Sequence, residues 1–239
     1  MRLDKLLWNH GLHSKKKIKQ AIRHHEVMID GEPARHIGQN VDASLQHISL
    51  FNRPIKDSSQ LYFMLHKPKG VVTAVKDSSK QTVLDLLDPE DRPQGIYHIG
   101  RLDADTEGLL LLTNNGPLGL RMLHPDHHIS KTYLVEVNAA IDWRAISRFD
   151  QGITFRDGTR CRSAQLQILE SRPGYSLATV TLSEGKFHQV KKMFLAVGSK
   201  VTSLKRISFG PFELDASLEP GQYRPLTQDE LLLLKPYLD

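Results

Sequence analysis

The sequence predicts an α+β fold in two domains: a small basic N-terminal domain, then a larger domain with a mostly antiparallel mixed sheet and flanking helices. Strand-like stretches, apolar or alternating, recur from residue 61 onward and outnumber the helical patterns. Residues 52–60 include Pro54 and Asp57 and show no apolar periodicity, which is typical of a linker. A chain of 239 residues can hold both units. We place the domains at residues 1–58 and 59–239.

In the first domain, two short helices and a few short strands are expected. Residues 3–7 carry leucines on one helical face, and Ser14 can cap a second helix. Residues 27–32 then predict a strand that runs into an Asp-Gly turn, with further short strands near Val41 and at residues 48–50.

The positive charge of the chain is concentrated in this domain. Residues 1–58 hold ten Lys or Arg against six Asp or Glu, which accounts for +4 of the net +5. A run of cations surrounds the apolar stripe of the second helix, and phosphates are its expected target. A solvated helix face is the alternative interpretation. The run consists of Lys15, Lys16, Lys17, Lys19 and Arg23.

In the second domain, a hairpin of strands at residues 61–65 and 71–75 is expected first, joined by a turn at 67–70. Thr82 should cap a short helix that reaches Leu87, and Thr227 should open a capping box with Glu230. Further strands are expected at residues 133–137, 164–169, 176–182 and 201–207, and helices at 119–123, 141–149 and 187–197.

The central stretch places charged residues next to a buried strand. Arg101 and Asp103 lie two residues apart, and four leucines follow at residues 109–112 before an Asn-Gly turn. A strand covered on both faces would support a carboxylate rigidly, so Asp103 is the candidate catalytic residue. A solvated Arg101–Asp103 ion pair is the structural alternative.

Two other interpretations of the acidic residues after Arg101 are weaker. A calcium loop starting at Asp103 would need Glu at its twelfth position, where the chain has Asn114. A phosphate-handling enzyme using Asp103 and Asp105 would require magnesium, and its nucleophile would usually follow an apolar strand.

The composition excludes several classes of protein. The single cysteine, Cys161, rules out an internal disulfide framework and a multi-cysteine zinc site. No apolar run approaches a membrane span, and residues 1–20 show no signal-peptide pattern, so a cytoplasmic protein without a membrane partner is expected. No phosphate loop appears, and no carboxylate or cysteine completes a metal site with His124, His127 and His128. We expect no metal and no cofactor.

Three separated motifs together resemble the bacterial pseudouridine synthases that act on ribosomal RNA. They are residues 100–108, with Gly-Arg-Leu-Asp followed by Thr106 and Gly108; residues 131–135, Lys-Thr-Tyr-Leu-Val; and residues 184–194. The first domain similarly resembles the small RNA-binding domain of the S-four type. The resemblance is greatest to the branch that modifies one uridine of small-subunit RNA, of the uridine 516 type.

The resemblance implies roles for individual residues. Asp103 matches the essential aspartate, as nucleophile or as base, and Tyr133 matches the tyrosine that stacks on the flipped uracil. Lys191 matches the basic partner of the aspartate. We prefer it to Lys192 because it lies closer to the apolar stripe that includes Phe187.

Further residues are expected to contact RNA. Arg101 should fill the gap left by the flipped nucleotide, and Lys67 and Lys69 should contact backbone phosphates. His66 stands where relatives often have Asn, and its role stays open.

The expected partner is ribosomal RNA, as small-subunit RNA or an assembly intermediate, and the protein is expected to act as a monomer. A large-subunit synthase and a non-catalytic ribosome-assembly protein are the alternatives.

Overall fold

The structure of the protein is a computed structural model, and it describes residues 1–238. The first domain contains helices α1 (Leu3–Asn9) and α2 (Lys15–Arg23). Ser14 is the N-cap residue of α2, although its side chain makes no capping hydrogen bond. The helices bury their apolar faces with an antiparallel four-stranded sheet, ordered β2-β1-β3-β4. Its strands are β1 (Val27–Ile29), β2 (Glu32–Pro33), β3 (Ile48–Leu50) and β4 (Arg53–Ile55).

The strand β4 lies inside the stretch that the sequence predicted to be a linker, so that prediction was wrong for its first residues. Phe51 and Asn52 both have positive φ, of 51° and 59°. Positive φ at both central residues suits a two-residue turn that returns the chain as a hairpin. Pro54 had argued against a strand, but an edge strand tolerates proline. The boundary between residues 58 and 59 stays a prediction.

The second domain is built on one mixed sheet of nine strands. The sheet is ordered β13-β5-β7-β11-β8-β10-β9, while β6 pairs with β7 and β12 pairs with β11. Among the paired strands of residues 1–238, only β7 and β11 run parallel to each other. The strands are β5 (Tyr62–Lys67), β6 (Tyr97–Ile99), β7 (Glu107–Thr113), β8 (Lys131–Val137), β9 (Gln165–Arg172), β10 (Tyr175–Leu182), β11 (Val201–Phe209), β12 (Phe212–Glu213) and β13 (Tyr223–Pro225).

In the part of this domain that the structure describes, four α-helices flank the sheet, which confirms the predicted α+β class. Short 3-10 helices occupy Val83–Leu86, Pro89–Asp91, Pro125–His127 and Lys235–Tyr237. Thr82 is the N-cap residue of the first of these, as predicted, and the capping box predicted at Thr227 is present in the last α-helix. No helix within residues 1–238 combines the length and the apolar character required to cross a membrane. The α-helices are α3 (Gly116–Leu123), α4 (Trp143–Asp150), α5 (Gln189–Ala196) and α6 (Gln228–Leu232).

The predicted hairpin at the start of this domain is wrong. β5 pairs with β7 and β13 instead, and Val72 makes only an isolated bridge to Thr82. The Thr73 hydroxyl donates a hydrogen bond to the Leu102 carbonyl at 2.7 Å and accepts one from the Leu102 amide at 3.2 Å. The segment therefore supports the loop that carries Asp103.

The leucine run of β7 is covered on both faces, as the sequence predicted. Leu109 and Leu111 pack into one apolar cluster, whereas Leu110 and Leu112 pack into another on the opposite face. All four are at most 2% exposed. Because the β6–β7 loop leads into this strand, the core fixes one end of the loop.

The two domains contact each other through a buried polar group. The Tyr62 hydroxyl donates to Asp42 at 2.5 Å and accepts from the Asn115 side chain at 2.8 Å. Burial and the neighbouring Asp42 carboxylate raise the pKa of Tyr62. Leu45 of the first domain packs into the apolar cluster that includes Leu109. The first domain thus rests on the second beside the start of β5.

Candidate active site

The candidate site is built on the loop between β6 and β7. Lys191 of α5 donates hydrogen bonds to Asp103 at 2.9 Å and to Asp105 at 2.6 Å. The Asp103 side chain keeps 32% of its surface exposed, so its carboxylate is held but still accessible. The arrangement brings together a carboxylate and a cation that are 88 residues apart in sequence.

Burial and two neighbouring carboxylates act in opposite directions on the charge of Lys191. Burial opposes the ammonium charge, but the hydrogen bonds to Asp105 and Asp103 outweigh it and raise the pKa of Lys191. The same ammonium group is the main cause of the lowered pKa of Asp105. Lys191 therefore occupies the place between two carboxylates where a divalent cation would otherwise bind. This arrangement argues against the calcium and magnesium interpretations of Asp103 and Asp105.

The face of α5 explains why Lys191 and not Lys192 turns inward. Lys192 reaches Asp157 at 3.4 Å, away from Asp103. The predicted apolar stripe was wrong at Phe187, which precedes the helix and is 74% exposed. The residues that α5 buries include Val190, Met193 and Phe194.

A cavity of about 650 Å³ opens beside Asp103, and Tyr133 and Arg101 also line it. This volume lies in the range usual for small-molecule sites. Tyr133 lies on β8 and is 9% exposed, so most of the residue is buried in the cavity wall. The Arg101 side chain is exposed at the cavity wall.

Arg206 also lines this cavity, and the sequence did not predict it as a residue of the site. It is 1% exposed, its Nε donates to the Leu109 carbonyl at 2.8 Å, and its guanidinium lies beside the Tyr133 hydroxyl. A charged residue within the apolar strand predicted at 201–207 was the signal available. Arg206 thus connects β7, β8 and β11 directly behind the site.

The parallel contact between β7 and β11 depends on a glycine. Gly108 has φ +116°, and a Cβ atom there would lie 2.2 Å from the Arg206 carbonyl oxygen. Any other residue would push β11 away and move Arg206 with it. This explains why Gly108 belongs to the same motif as Asp103.

The sequence and the fold match known proteins. The sequence profile described as RNA pseudouridylate synthase matches residues 61–196, more than half of the chain. The chain belongs to the RNA pseudouridylate synthase family. The S4 domain profile matches residues 1–46, which confirms the predicted type of the first domain.

Similar synthases cover almost the whole chain. An uncharacterised RNA pseudouridine synthase of Bacillus subtilis is 44% identical over 98% of both chains. The ribosomal small subunit pseudouridine synthase A of Yersinia pestis is 36% identical over 97% of both. The ribosomal large subunit pseudouridine synthase B of Bacillus subtilis is 34% identical over 100% of this chain and 97% of its own. A crystal structure of a pseudouridylate synthase aligns with a TM-score of 0.68 at 34% identity, covering 98% of this chain and 99% of that one.

Lys67 cannot contact RNA in the synthase as folded, so that prediction was wrong. The side chain is fully buried, and its ammonium group donates to the carbonyls of Pro68 (2.9 Å), Ala104 (3.3 Å) and Thr106 (2.9 Å). These carbonyls include two from the loop that carries Asp103. Lys67 therefore holds this loop in place through hydrogen bonds, and its ammonium group does not reach the solvent.

Lys67 provides a pH-dependent prediction. Burial lowers its pKa to about 8, whereas in the unfolded chain it is near 10.5, so the unfolded state binds more protons between these values. Below pH 8 the folded protein carries the full free-energy cost of burying the charged Lys67. As the pH rises above 8, Lys67 loses its proton in the folded state and this cost disappears. Relative to Lys67→Met, the free energy of unfolding of the wild type should rise by about 1–2 kcal/mol between pH 7.5 and 9.5. Urea unfolding at both pH values measures this difference, and a constant difference would contradict the assignment.

The remaining basic residues predicted to bind RNA face the solvent. Lys69 is exposed, and its ammonium group is 3.4 Å from the Ser203 hydroxyl. The cations of α2 are all exposed too: Lys15, Lys16, Lys17, Lys19 and Arg23.

The histidines near the site have structural contacts. His66 is buried, with its ring nitrogens 2.6 Å from the Leu218 carbonyl and 2.9 Å from Glu107. His128 lies 2.8 Å from Arg162, and His124 and His127 meet edge to face. Within residues 1–238, no group of three His, Cys, Asp or Glu side chains is arranged to hold a metal ion.

Proposed function

We propose that the synthase converts one uridine of ribosomal RNA to pseudouridine at the Asp103 site. The observation that carries this proposal is the 2.9 Å contact between Asp103 and Lys191 at the wall of a cavity lined by Tyr133. The reaction breaks the bond from uracil N1 to ribose C1′ and forms a bond from C5 to C1′. C5 loses its proton and N1 gains one, so nothing is oxidised, reduced or hydrolysed.

Each residue has a defined part in this proposal. Asp103 acts on the ribose or the base, as nucleophile or as general base. Lys191 donates a hydrogen bond to that carboxylate and places a positive charge 2.9 Å from it. Tyr133 stacks on the uracil, and Arg101 fills the space that the flipped nucleotide leaves in the RNA.

We assign the target to small-subunit RNA, at a uridine of the 516 type. The support is the similarity to the Yersinia pestis small-subunit synthase over 97% of both chains. The second candidate is large-subunit RNA, because the Bacillus subtilis large-subunit synthase is nearly as similar. Cys161, the single cysteine, is buried and forms no disulfide, which supports our proposal that the protein works in the cytoplasm. We propose that it acts there as a monomer.

Separate transcripts of the two ribosomal RNAs of the source organism test the target. After incubation with the purified chain, pseudouridine mapping should show one new site in the small-subunit transcript and none in the large-subunit transcript. The reverse pattern would assign the chain to large-subunit RNA. Binding to either transcript without conversion would support the non-catalytic assembly role instead.

The cations of α2 should provide affinity for RNA without taking part in the chemistry. A variant with Lys15, Lys16, Lys17 and Lys19 all changed to Glu should bind the transcript at least tenfold more weakly at 0.1 M salt. The slope of log affinity against log salt should become flatter, because each lost phosphate contact removes roughly 0.7–0.9 from it. Filter binding at several salt concentrations measures both. An unchanged slope would show that α2 is only a solvated surface.

A further inference from the structure

The mouth of the Asp103 cavity carries an aromatic ring with little cover from the protein. Phe187 is 74% exposed, the highest fraction among the large apolar side chains of residues 1–238. It lines the same cavity as Asp103 and Tyr133. Single exposed apolar residues are common on protein surfaces, so exposure alone does not mark a site.

The ring has a defined orientation because it is stacked on its neighbour. The rings of Phe187 and His188 lie 3.8 Å apart, centroid to centroid, with an angle of 20° between their planes. His188 adopts φ 54° and ψ 33°, a left-handed conformation that is strained for a residue other than glycine. Its Nε2 is 3.6 Å from the Asp103 carboxylate. A strained backbone therefore keeps the stacked pair next to the reacting group.

The turn that presents Phe187 is braced by hydrogen bonds. The Glu184 carboxylate accepts from the Arg162 amide at 3.0 Å, from the Gln189 side chain at 2.6 Å and from Lys186. The Gln189 side chain in turn accepts from the Lys186 amide at 2.8 Å. The ring is therefore positioned before RNA arrives, which reduces the ordering cost of binding.

Three lysines lie close to this ring. The Lys192 ammonium group is 5.7 Å from the Phe187 ring centroid, and Lys186 and Lys191 lie before and after Phe187 in the chain; each of the three also contacts a carboxylate. Aromatic rings beside cations are typical of surfaces that bind single-stranded nucleic acid, because the ring stacks on a base while the cations meet the phosphates.

We propose that the Phe187–His188 stack is a platform for an unpaired nucleobase of the substrate RNA, beside the nucleotide whose uracil enters the cavity. The base stacks on the outer face of Phe187, opposite His188. This inference rests on the proposed function for the nature of the substrate, but the binding test below does not depend on turnover.

The test measures binding of a fluorescein-labelled nine-nucleotide single-stranded RNA, a central uridine flanked by adenosines, to the full chain by anisotropy. Phe187→Ala and Phe187→Leu should each weaken binding about 5- to 30-fold, because leucine is apolar but cannot stack. Phe187→Trp should bind at least as tightly as the wild type. Trp143→Ala is the matched control, because Trp143 is a similarly exposed aromatic residue (70%) that lies on α4. The affinity of this variant for the RNA should equal that of the wild type.

A second probe identifies the stacked base directly. When the adenosines next to the uridine are replaced by abasic riboses, Phe187→Ala should have no further effect, because the base that it contacts is gone. The platform would be refuted by wild-type affinity in Phe187→Leu, by an equal effect of Phe187→Ala on both probes, or by no measurable binding of the first probe to the wild type. A failure to form pseudouridine in either transcript would refute the proposed function while leaving these binding results intact.

Discussion

Replacing Asp103 by Asn should reduce pseudouridine formation by at least about 10³-fold while leaving RNA affinity within a few-fold. The amide keeps the shape of the carboxylate and can still contact Lys191, but it can neither attack the ribose nor accept a proton. Single-turnover conversion of the rRNA transcript at saturating enzyme measures the rate, and filter binding measures the affinity.

Asp105→Asn is the matched control for this result. Asp105 contacts the same ammonium group at 2.6 Å, but its side chain is 71% exposed and more remote from the cavity. We expect the turnover of Asp105→Asn to stay within about tenfold of the wild type, because Asp103 alone would act as the nucleophile or the general base. Equal damage from both changes would instead favour chemistry that uses the two carboxylates together.

Replacing Lys191 by Met should reduce turnover by about 10²-fold, because the partly buried Asp103 would lose the cation 2.9 Å from its carboxylate. Methionine has a similar length, so the packing of α5 should be kept. Lys191→Arg should recover part of the activity because it restores the charge. Single-turnover rates at saturating enzyme separate this loss from any weakening of RNA binding.

Lys192→Met is the neighbouring control for the Lys191 variant. Lys192 points to Asp157 at 3.4 Å and also lies near Phe187, so its loss should affect RNA affinity more than the rate at saturation. If Lys192→Met slowed turnover as much as Lys191→Met, the two lysines would act through RNA binding, and the pairing of Lys191 with Asp103 would not explain the chemistry.

Much of the framework of the site could be predicted from local sequence. The four leucines of β7 predicted a strand covered on both faces, because such a run suits no surface strand. The helical spacing around Val190 and Phe194 was enough to distinguish the inward Lys191 from Lys192. In both cases the decisive information lies within a few residues of the element concerned.

Other features depend on contacts between distant segments, which the local sequence does not reveal. Lys67, beside a proline in an expected turn, looked like a surface residue, yet the carbonyls of Ala104 and Thr106 arrive from almost forty residues away. Thr73 likewise bonds to Leu102 instead of pairing in a hairpin. The charge of Arg206 within a predicted strand was visible in the sequence. The contacts of its side chain with Leu109 and Tyr133 were not, because they come from other strands.

Tritium release from a transcript labelled at uridine C5 tests the central claim most directly. Pseudouridine formation must replace the hydrogen at C5, whereas binding, hydrolysis and phosphate chemistry leave it in place. In the presence of excess chelator, the wild type should release one tritium equivalent per modified transcript without shortening the RNA, and Asp103→Asn should release none within the same time. Tritium release by Asp103→Asn at the wild-type rate, or wild-type activity that requires added metal while the RNA stays folded, would contradict the account.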